Sequence, residues 1–250
     1  MKKFEETRVY SLPYPITLSL TEQTASTNDD LKVAAREGAP DFTVRIADKQ
    51  LAGKGRNNRS FFSENGLYMS VLLPAKEEVL PFITAIAAVA VARAIRSLTE
   101  TDAEIKWVND VYVHGKKVCG ILSESVVTEG IRRVIVGIGV NLNTPEEGFP
   151  EEIRTIAGSI DADRSELAAE ILSNLLSLFE KGDIEGVCNE YRELCFLVGK
   201  RISVHKENGC VDATVTGLTK ELALSVLYDD GKTEDLIAGD VSVRLGGEAR

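Results

Sequence analysis

The sequence predicts an α+β fold: a mixed sheet flanked by helices, followed by a small all-β module. Up to residue 198, runs with strand composition are interspersed with segments of helical periodicity. From residue 199 onward, short β-rich runs are separated by turn signals over about fifty residues. A chain of 250 residues is long enough for one large domain plus a small one. We therefore expect domains at 1–198 and 199–250.

The first half of the chain predicts two helices and two strands. Residues 27–37 read as a helix with Ser26 as its N-cap and Gly38 at its end. The runs "FTVRIADK" and "GLYMSVLLP" predict strands on either side of a polar segment. Residues 78–98 predict a helix packed on the sheet, since the following residues recur at helical spacing: Phe82, Ile83, Ile86, Ala90 and Ile95.

Three more β-rich stretches follow: "AEIKWV", "VYVHGKKVCGILSESVV" and "RRVIVGIGVNLN". His114-Gly115 predicts a hairpin turn within the second stretch. Residues 144–164 predict a long connection, and 165–181 and 183–197 predict helices. The β module is predicted from "KRISVHKE", "VDATVTGL", "ALSVLY" and "DVSVRL", with turns at Asp230-Gly231 and Gly239-Asp240.

Composition excludes several functional classes. A net charge of -10 argues against a general nucleic-acid binder, which needs a broad basic surface. The N-terminus lacks the apolar region of a signal peptide. The most apolar stretch, 79–92, is about 14 residues long against the ~20 that a membrane span needs. With two histidines and no CxxC pair, the four cysteines predict buried reduced thiols in a cytoplasmic protein: Cys119, Cys188, Cys195 and Cys210.

Two polar clusters stand out. In "AGKGRNNRS", Gly53 and Gly55 permit positive φ and close backbone approach, so that their N–H groups can face an anion, while Lys54 and Arg56 add charge. A solvated basic loop is the alternative. In "IKWVNDVYVHGKKVCGIL", polar residues lie among apolar strand residues: Lys106, Asn109, Asp110 and Lys117. These lysines either extend to solvent at a sheet edge or point into a site.

Five blocks in this order resemble the motifs of biotin protein ligases: "STND", "KQLAGKGRNNRSF", "GLYMSVLL", "KWVNDVYVHGKKVCGIL" and "VIVGIGVNLN". They extend from residue 26 to residue 143. The β-rich tail resembles the small SH3-like domain of that family. The resemblance thus implies a catalytic domain of the class II synthetase-like type with an SH3-like C-terminal domain.

The resemblance also implies a two-step reaction. The carboxylate of biotin attacks the α-phosphorus of ATP, giving biotinyl-5′-AMP and pyrophosphate. A lysine of a biotin carboxyl carrier protein or domain then displaces AMP. Mg²⁺ is expected with ATP, and the basic loop is expected to be mobile when empty and to close over the adenylate.

Site residues follow from the matched motifs. Lys117 and Arg56 are implied as catalytic. Biotin binding is implied for Ser26, Thr27, Asn28, Gln50, Lys54, Gly55, Arg56, Lys117 and Gly120. Binding of ATP or the adenylate is implied for Arg56, Arg59, Lys106, Trp107, Asn109, Asp110, Lys117 and Asn141. Asp110 is the expected Mg²⁺ ligand.

Some of these residues have plainer interpretations. Ser26 is equally well explained as a helix cap, and Gln50 as a solvated strand end. Trp107 could stack on adenine, but a core position is favoured for a strand tryptophan.

The chain also departs from the family pattern. Lys54 replaces an arginine, Asn57-Asn58 replace a basic-glycine pair, Phe61 or Phe62 replaces a tryptophan, and Val108 replaces a proline.

The first block begins at residue 26, so we expect no helix-turn-helix domain ahead of it and no DNA or membrane partner. Family members occur as monomers or homodimers, and both states stay open. A lipoate or octanoate attachment enzyme is the alternative among related enzymes. A non-catalytic relative that binds biotin or nucleotide is the alternative from another class.

Overall fold

The main sheet is built by the first seven strands. The computed structural model describes residues 15–206 and 209–237 and the backbone of 242–245. Seven strands form the main sheet: β1 (Thr17–Thr24), β2 (Thr43–Gln50), β3 (Gly66–Pro74), β4 (Ala103–Lys106), β5 (Asp110–Val113), β6 (Lys116–Thr128) and β7 (Ile131–Asn141). The helices of the described residues are α1 (Thr27–Arg36), α2 (Ile83–Thr99), α3 (Arg164–Lys181) and α4 (Ile184–Leu194).

The strand order is β1-β2-β3-β7-β6-β5-β4. β1 and β2 run parallel and are joined by α1, whereas the other neighbours are antiparallel. The sheet is therefore mixed, as predicted. His114 and Gly115 have φ of 51° and 73° and form the turn between β5 and β6, which confirms the predicted hairpin.

Helices cover both faces of the sheet, because side chains alternate along its strands. Leu72 packs with Leu31 and Ala35 of α1 in a small cluster. Its neighbours Val71 and Leu73 belong to the large core that also contains α2 and α3. The α1 face thus differs from the face that carries the main hydrophobic core, and the candidate site lies on the α1 face.

The central helix α2 is the longest apolar element. With a preceding 3₁₀ turn at Leu80–Phe82 it extends over 20 residues, long and apolar enough by length and composition to cross a membrane. The uncharged stretch 79–92 considered from the sequence is thus only part of this helix, which continues past Arg93 to Thr99. Most of the helix is buried, packed against the strands and α3.

A second sheet follows α4. Its strands are β8 (Arg201–Lys206), β9 (Gly209–Leu218), β10 (Leu224–Tyr228), β11 (Thr233–Leu236) and β12 (Ser242–Leu245), in the order β11-β10-β9-β8-β12. All its pairings are antiparallel, consistent with the predicted SH3-like module. The Trp107 indole N–H donates to Leu222 O at 2.9 Å and links the two sheets. The predicted turn at Gly239-Asp240 lies outside the described residues.

Several sequence expectations need correction. β1 and β11 were not predicted, because "TLSLTEQT" and "TEDL" are mostly polar edge strands. The helix expected from residue 78 begins at Ile83, after the 3₁₀ turn that contains Pro81. Cys210 is exposed, as are all of the first four residues of β9, whereas the other three cysteines are buried as expected.

Candidate active site

The site begins where β1 ends and α1 starts. Ser26, Thr27 and Asn28 form this junction and are 2–4% exposed. Ser26 occupies the N-cap position and its carbonyl accepts from Asp30 N–H, but its hydroxyl makes no capping hydrogen bond. The side-chain cap considered for Ser26 is therefore not what the structure has.

Three glycines of β6 and β7 form the floor of a narrow slot in front of this junction, which we call the glycine slot. A β-carbon on Gly137 would lie 2.2 Å from Asn28 Oδ1. On Gly139 or Gly120 it would lie 2.6 or 2.8 Å from the Phe61 ring. Any other residue at these positions would displace the side chain above it.

The Phe61 ring lies over Gly120 and Gly139, two of the three glycines of the slot. The remaining space is about 30 Å³, against the ~300–1,000 Å³ of typical ligand pockets. The sequence left open whether Phe61 or Phe62 takes the place of the family tryptophan. Phe61 lies on the slot, whereas Phe62 contacts Phe149 with ring centroids 5.5 Å apart.

One wall of the slot is polar. Gln50 Oε1 accepts from Thr27 N–H at 2.8 Å, so Gln50 is part of this wall and not a solvated strand end. Ser70 Oγ lies 2.7 Å from Thr27 Oγ1 and 2.6 Å from Asn28 Oδ1. The Asn28 amide donates to Leu122 O and Glu124 Oε2, so its orientation is fixed by partners on two strands.

A charged pair closes the other end of the slot. The Lys117 ammonium lies 2.7 Å from Asp110 Oδ1 and 5.8 Å from the centroid of the Phe61 ring. Its Nζ would lie 3.4 Å from a β-carbon on Gly120. The Lys117 side chain is 30% exposed and converges on the slot, so it does not simply extend to solvent.

The basic loop packs against both ends of the site. Lys54 forms an ion pair with Asp29 of α1 at 2.5 Å, and Arg56 donates to Asn109 Oδ1 at 3.4 Å. Burial lowers the pKa of Arg56, an effect that Asp110 opposes. Arg59 is exposed. The loop thus brings one guanidinium beside Asp110 and holds its lysine on α1.

The two loop glycines meet one of the two expectations drawn from the sequence. Neither Gly53 nor Gly55 has positive φ, and the Gly55 N–H donates to Arg59 O within the loop. Close backbone approach is found at Gly53, since a β-carbon there would lie 2.5 Å from Ser63 Oγ. The expectation of positive φ was therefore wrong, whereas the expectation of close approach holds at Gly53.

The "KWVND" residues divide between core and site. Trp107 is 4% exposed within the main core, in agreement with the favoured interpretation. Lys106 is buried with its Nζ 3.4 Å from Tyr112 Oη. Asn109 donates to Ile121 O at 2.8 Å, which fixes its oxygen toward Arg56. From this block, Asn109 thus contacts Arg56 of the loop, and Asp110 pairs with Lys117.

Asn141 lies at the end of β7, opposite Gly66. Its amide donates to Gly158 O at 2.9 Å, and its buried Oδ1 has no hydrogen-bond partner among the residues that the structure describes. An unpaired buried amide oxygen is costly and marks a place for a ligand donor. This observation makes Asn141 a candidate binding residue.

Several site residues were missed from the sequence: Ser70, Glu124, Asp29, Gly137, Gly139 and Phe61 as the slot residue. Ser70 had a usable signal, because a serine inside the apolar strand "GLYMSVLL" must find a partner when buried. Asp29 also had one, as the last residue of the "STND" block, whereas Glu124 had none, since carboxylates in strands are usually solvated.

A larger cavity of about 410 Å³ lies elsewhere, between the β1–β2 edge and the start of α3. Asp48 and Arg164 form an ion pair in its wall. None of the candidate site residues lines it, so we place the active site at the glycine slot. Within the described residues no cluster of three or more histidine, cysteine, aspartate or glutamate side chains forms a metal centre.

The chain is similar to known proteins over the part that contains the slot. The profile of the Biotin/lipoate A/B protein ligase family matches residues 20–141, which span the slot, the loop and the charged pair. The Bifunctional ligase/repressor BirA of Bacillus subtilis is 38% identical over 177 residues, which cover 68% of this chain and 53% of that protein. The chain thus spans about half the length of this relative.

Two further relatives match over most of their length. The Biotin--[acetyl-CoA-carboxylase] ligase of Mycobacterium tuberculosis is 28% identical, covering 90% of this chain and 88% of that protein. The biotin protein ligase from Aquifex aeolicus, solved in complex with biotin and ATP, superposes with a TM-score of 0.78 at 28% identity, covering 92% of this chain and 99% of that chain. Fold, motif order and sequence agree, and the chain belongs to the biotin/lipoate A/B protein ligase family.

Proposed function

We propose that the chain is an ATP-dependent biotin protein ligase. It activates biotin as biotinyl-5′-AMP with release of pyrophosphate and transfers biotin to a lysine of a biotin carboxyl carrier protein. One observation carries the proposal: a polar wall and a glycine floor enclose a narrow slot that ends at the Lys117–Asp110 pair. Such a slot suits a flat ring with polar edges whose acidic chain reaches a cation.

The first step brings two anions together. A carboxylate oxygen of biotin forms a bond to the α-phosphorus, and the bond from that phosphorus to pyrophosphate breaks. The repulsion between the carboxylate and the phosphate must be offset by fixed positive charge. Lys117, on strand β6, and Arg56, from the loop, are the cations that we assign to this task. In the second step the lysine amine of the acceptor attacks the acyl carbon, and AMP leaves.

The polar wall is assigned to the ureido ring of biotin. Thr27, Asn28 and Gln50 offer hydroxyl and amide groups there, and Ser26 lies beside them. Lys54 and Gly55 close over the slot as part of the loop. Gly120 permits close approach of the biotin bicycle, after the Phe61 ring has moved. We expect Phe61 to shift because the present space is too small for any ligand of that size.

The nucleotide is assigned to the side of Lys117 that faces the loop and the end of β7. Asn109 and Arg59 are proposed to contact phosphate, and Asn141 to pair with a nucleotide donor through its unpartnered Oδ1. For Lys106 and Trp107 the burial favours a supporting role over direct contact.

Mg²⁺ is proposed to arrive with ATP. Asp110 Oδ1 is buried and accepts no well-aligned hydrogen bond, although Lys117 lies 2.7 Å away. One carboxylate oxygen fits Mg²⁺, which is bound through one or two carboxylates together with substrate phosphates. When bound, the ion would neutralise phosphate charge, and Asp110 would hold it beside Lys117.

We further propose that residues 1–198 form the catalytic domain and 199–250 the SH3-like domain. The change from the main sheet to the second sheet after α4 supports this boundary. The cytoplasm is the proposed location, in keeping with the free thiols of Cys119, Cys188 and Cys195. A carboxylase carrier domain is the proposed acceptor.

Exchange of pyrophosphate into ATP, measured with biotin and with lipoate in parallel, tests the function. We expect exchange that requires biotin and Mg²⁺. Exchange with lipoate but not biotin would assign the chain to the related attachment enzymes. Biotin binding without exchange would indicate a non-catalytic relative.

A further inference from the structure

Glu124 lies on β6, on the α1 face, and both of its carboxylate oxygens have partners. Oε2 accepts from Asn28 Nδ2 at 2.8 Å, and Oε1 accepts from Lys32 Nζ at 2.7 Å. Lys32 also lies 3.3 Å from Asp29, which pairs with Lys54 of the loop. Burial alone would lower the pKa of Lys32, but Glu124 and Asp29 raise it above its usual value. The carboxylate is thus held in place from the helix.

The Glu124 carboxylate fixes the orientation of the Asn28 amide. With the NH₂ group toward Glu124 and Leu122 O, the Asn28 oxygen faces Ser70 at 2.6 Å. If the Asn28 amide were flipped, its oxygen would face the Glu124 carboxylate and Leu122 O. None of these oxygens carries a hydrogen, so no hydrogen bond could form. Because an amide oxygen only accepts, the single Ser70 hydroxyl hydrogen must be donated to Asn28.

The orientation of Asn28 also determines the hydrogen-bond directions at Ser70 and Thr27, because each hydroxyl has only one hydrogen to donate. Since the Ser70 hydroxyl donates its single hydrogen to Asn28, it can only accept in its 2.7 Å contact with Thr27. The Thr27 hydroxyl is therefore the donor in that contact. Gln50 Oε1 accepts a hydrogen bond from the Thr27 backbone N–H at 2.8 Å. The longer contact between Thr27 Oγ1 and Gln50 Oε1, at 3.1 Å, is then not a hydrogen bond, because the hydroxyl hydrogen of Thr27 points to Ser70. The lone pairs of Thr27 Oγ1 are then available as acceptors on the slot side.

We propose that Glu124 is a positioning residue that sets the hydrogen-bond direction from Asn28 through Ser70 to Thr27, so that Thr27 accepts a ureido N–H of biotin. This inference rests on the proposed function. Without the Glu124 carboxylate the Asn28 amide can flip. Ser70 can then donate to Thr27, and Thr27 can donate to Gln50, so Thr27 Oγ1 has fewer lone pairs available to accept a hydrogen bond from the ligand. Glu124 itself touches no reacting atom.

The test is Glu124→Gln, with Glu180→Gln as a matched control. Glu180 pairs with Lys76 at 2.8 Å and is 31% exposed, compared with 27% for Glu124, and it lies outside the slot. Glutamine keeps the size of Glu124 but turns an NH₂ group toward either Asn28 or Lys32, which are both donors. We would measure the Michaelis constants for biotin and ATP in pyrophosphate exchange, and the dissociation constant for biotin by calorimetry. These quantities do not depend on what fraction of the protein is folded.

We expect Glu124→Gln to raise KM and Kd for biotin by about tenfold, while KM for ATP stays within about twofold. Glu180→Gln should match the wild type in all three. Equal increases in both Michaelis constants, or no increase for biotin, would overturn the proposal.

A second measurement examines the hydrogen-bond direction itself. Two biotin analogues, each with one ureido N–H replaced by oxygen, are compared on both proteins. One of them should lose about tenfold on the wild type and little on Glu124→Gln. Equal losses on both proteins would also overturn the proposal. If the wild type neither bound biotin nor exchanged with it, the proposed function would fail, and this inference with it.

Discussion

Replacing Gly137 with alanine tests the glycine slot through a single methyl group. The new β-carbon would lie 2.2 Å from Asn28 Oδ1, 2.9 Å from Cγ and 3.0 Å from Nδ2. Alanine is compatible with the backbone here, because Gly137 has no positive φ. The effect must therefore come from the displaced amide, which bonds Ser70, Leu122 and Glu124.

Two terms of opposite sign set the magnitude. Loss of one neutral and one charge-assisted hydrogen bond costs about 2–4 kcal/mol, part of which is recovered if the amide tilts. Alanine in a strand contributes about 0.5–1 kcal/mol in the other direction. We expect a net loss of about 2 kcal/mol in the free energy of unfolding, or a Tm lower by about 4–8 °C for a chain of this size.

Gly217→Ala isolates the strand term, since nothing lies within 4 Å of a β-carbon there. It should be neutral or slightly stabilising by thermal unfolding. Biotin affinity of Gly137→Ala, measured by calorimetry, should fall about 10²-fold, because the polar wall shifts by about an ångström. If Gly137→Ala matched Gly217→Ala in both Tm and biotin affinity, the described contact between Asn28 and the slot floor would be wrong.

Three further predictions concern the loop and its charges. Lys117→Met should slow biotinyl-AMP synthesis by ~10²–10³ and lower the free energy of unfolding by about 1–3 kcal/mol, because Asp110 loses its ion-pair partner. Lys76→Met should leave the rate unchanged, and equal rates for both variants would contradict the role of Lys117. Residues 49–65 should become protected from protease and amide exchange on saturation with biotin and ATP, and unchanged protection would contradict loop closure. Asp29→Asn should make the unliganded loop more sensitive to protease. Burial would raise the pKa of Asp29, but Lys54 and Lys32 lower it. The carboxylate therefore stays ionised above about pH 4, so protection of the loop should be constant there and decrease at lower pH, where Asp29 is protonated. Protection lost near neutral pH would exclude this ion pair as the cause.

The fold was largely predictable, because its core strands are apolar and its turns carry clear signals. The "VYVHGKKV" hairpin is an example, since His114-Gly115 adopts the positive φ that such a turn needs. β1 was not predictable from apolar pattern. It is an edge strand with many exposed positions, and it is fixed by pairing with β2, not by its own composition.

The site was predictable only where the sequence preserves a motif. Motif order brought Thr27, Gln50, Asp110 and Lys117 to one place, and the structure has them around one slot. The partners of Asn28 were not predictable. Glu124 is 96 residues away in the chain, and its role depends on register between strands and on the position of α1.

The position of Phe61 has a thermodynamic consequence. Because the ring already covers Gly120 and Gly139, biotin bound as proposed would replace an aromatic side chain and little water. Less apolar surface of the protein then leaves water on binding, so the heat-capacity change should be smaller than the buried area of biotin suggests. Withdrawal of the ring must also accompany entry of the ligand. The observed association rate should therefore level off at high biotin concentration, at the rate at which Phe61 leaves the slot.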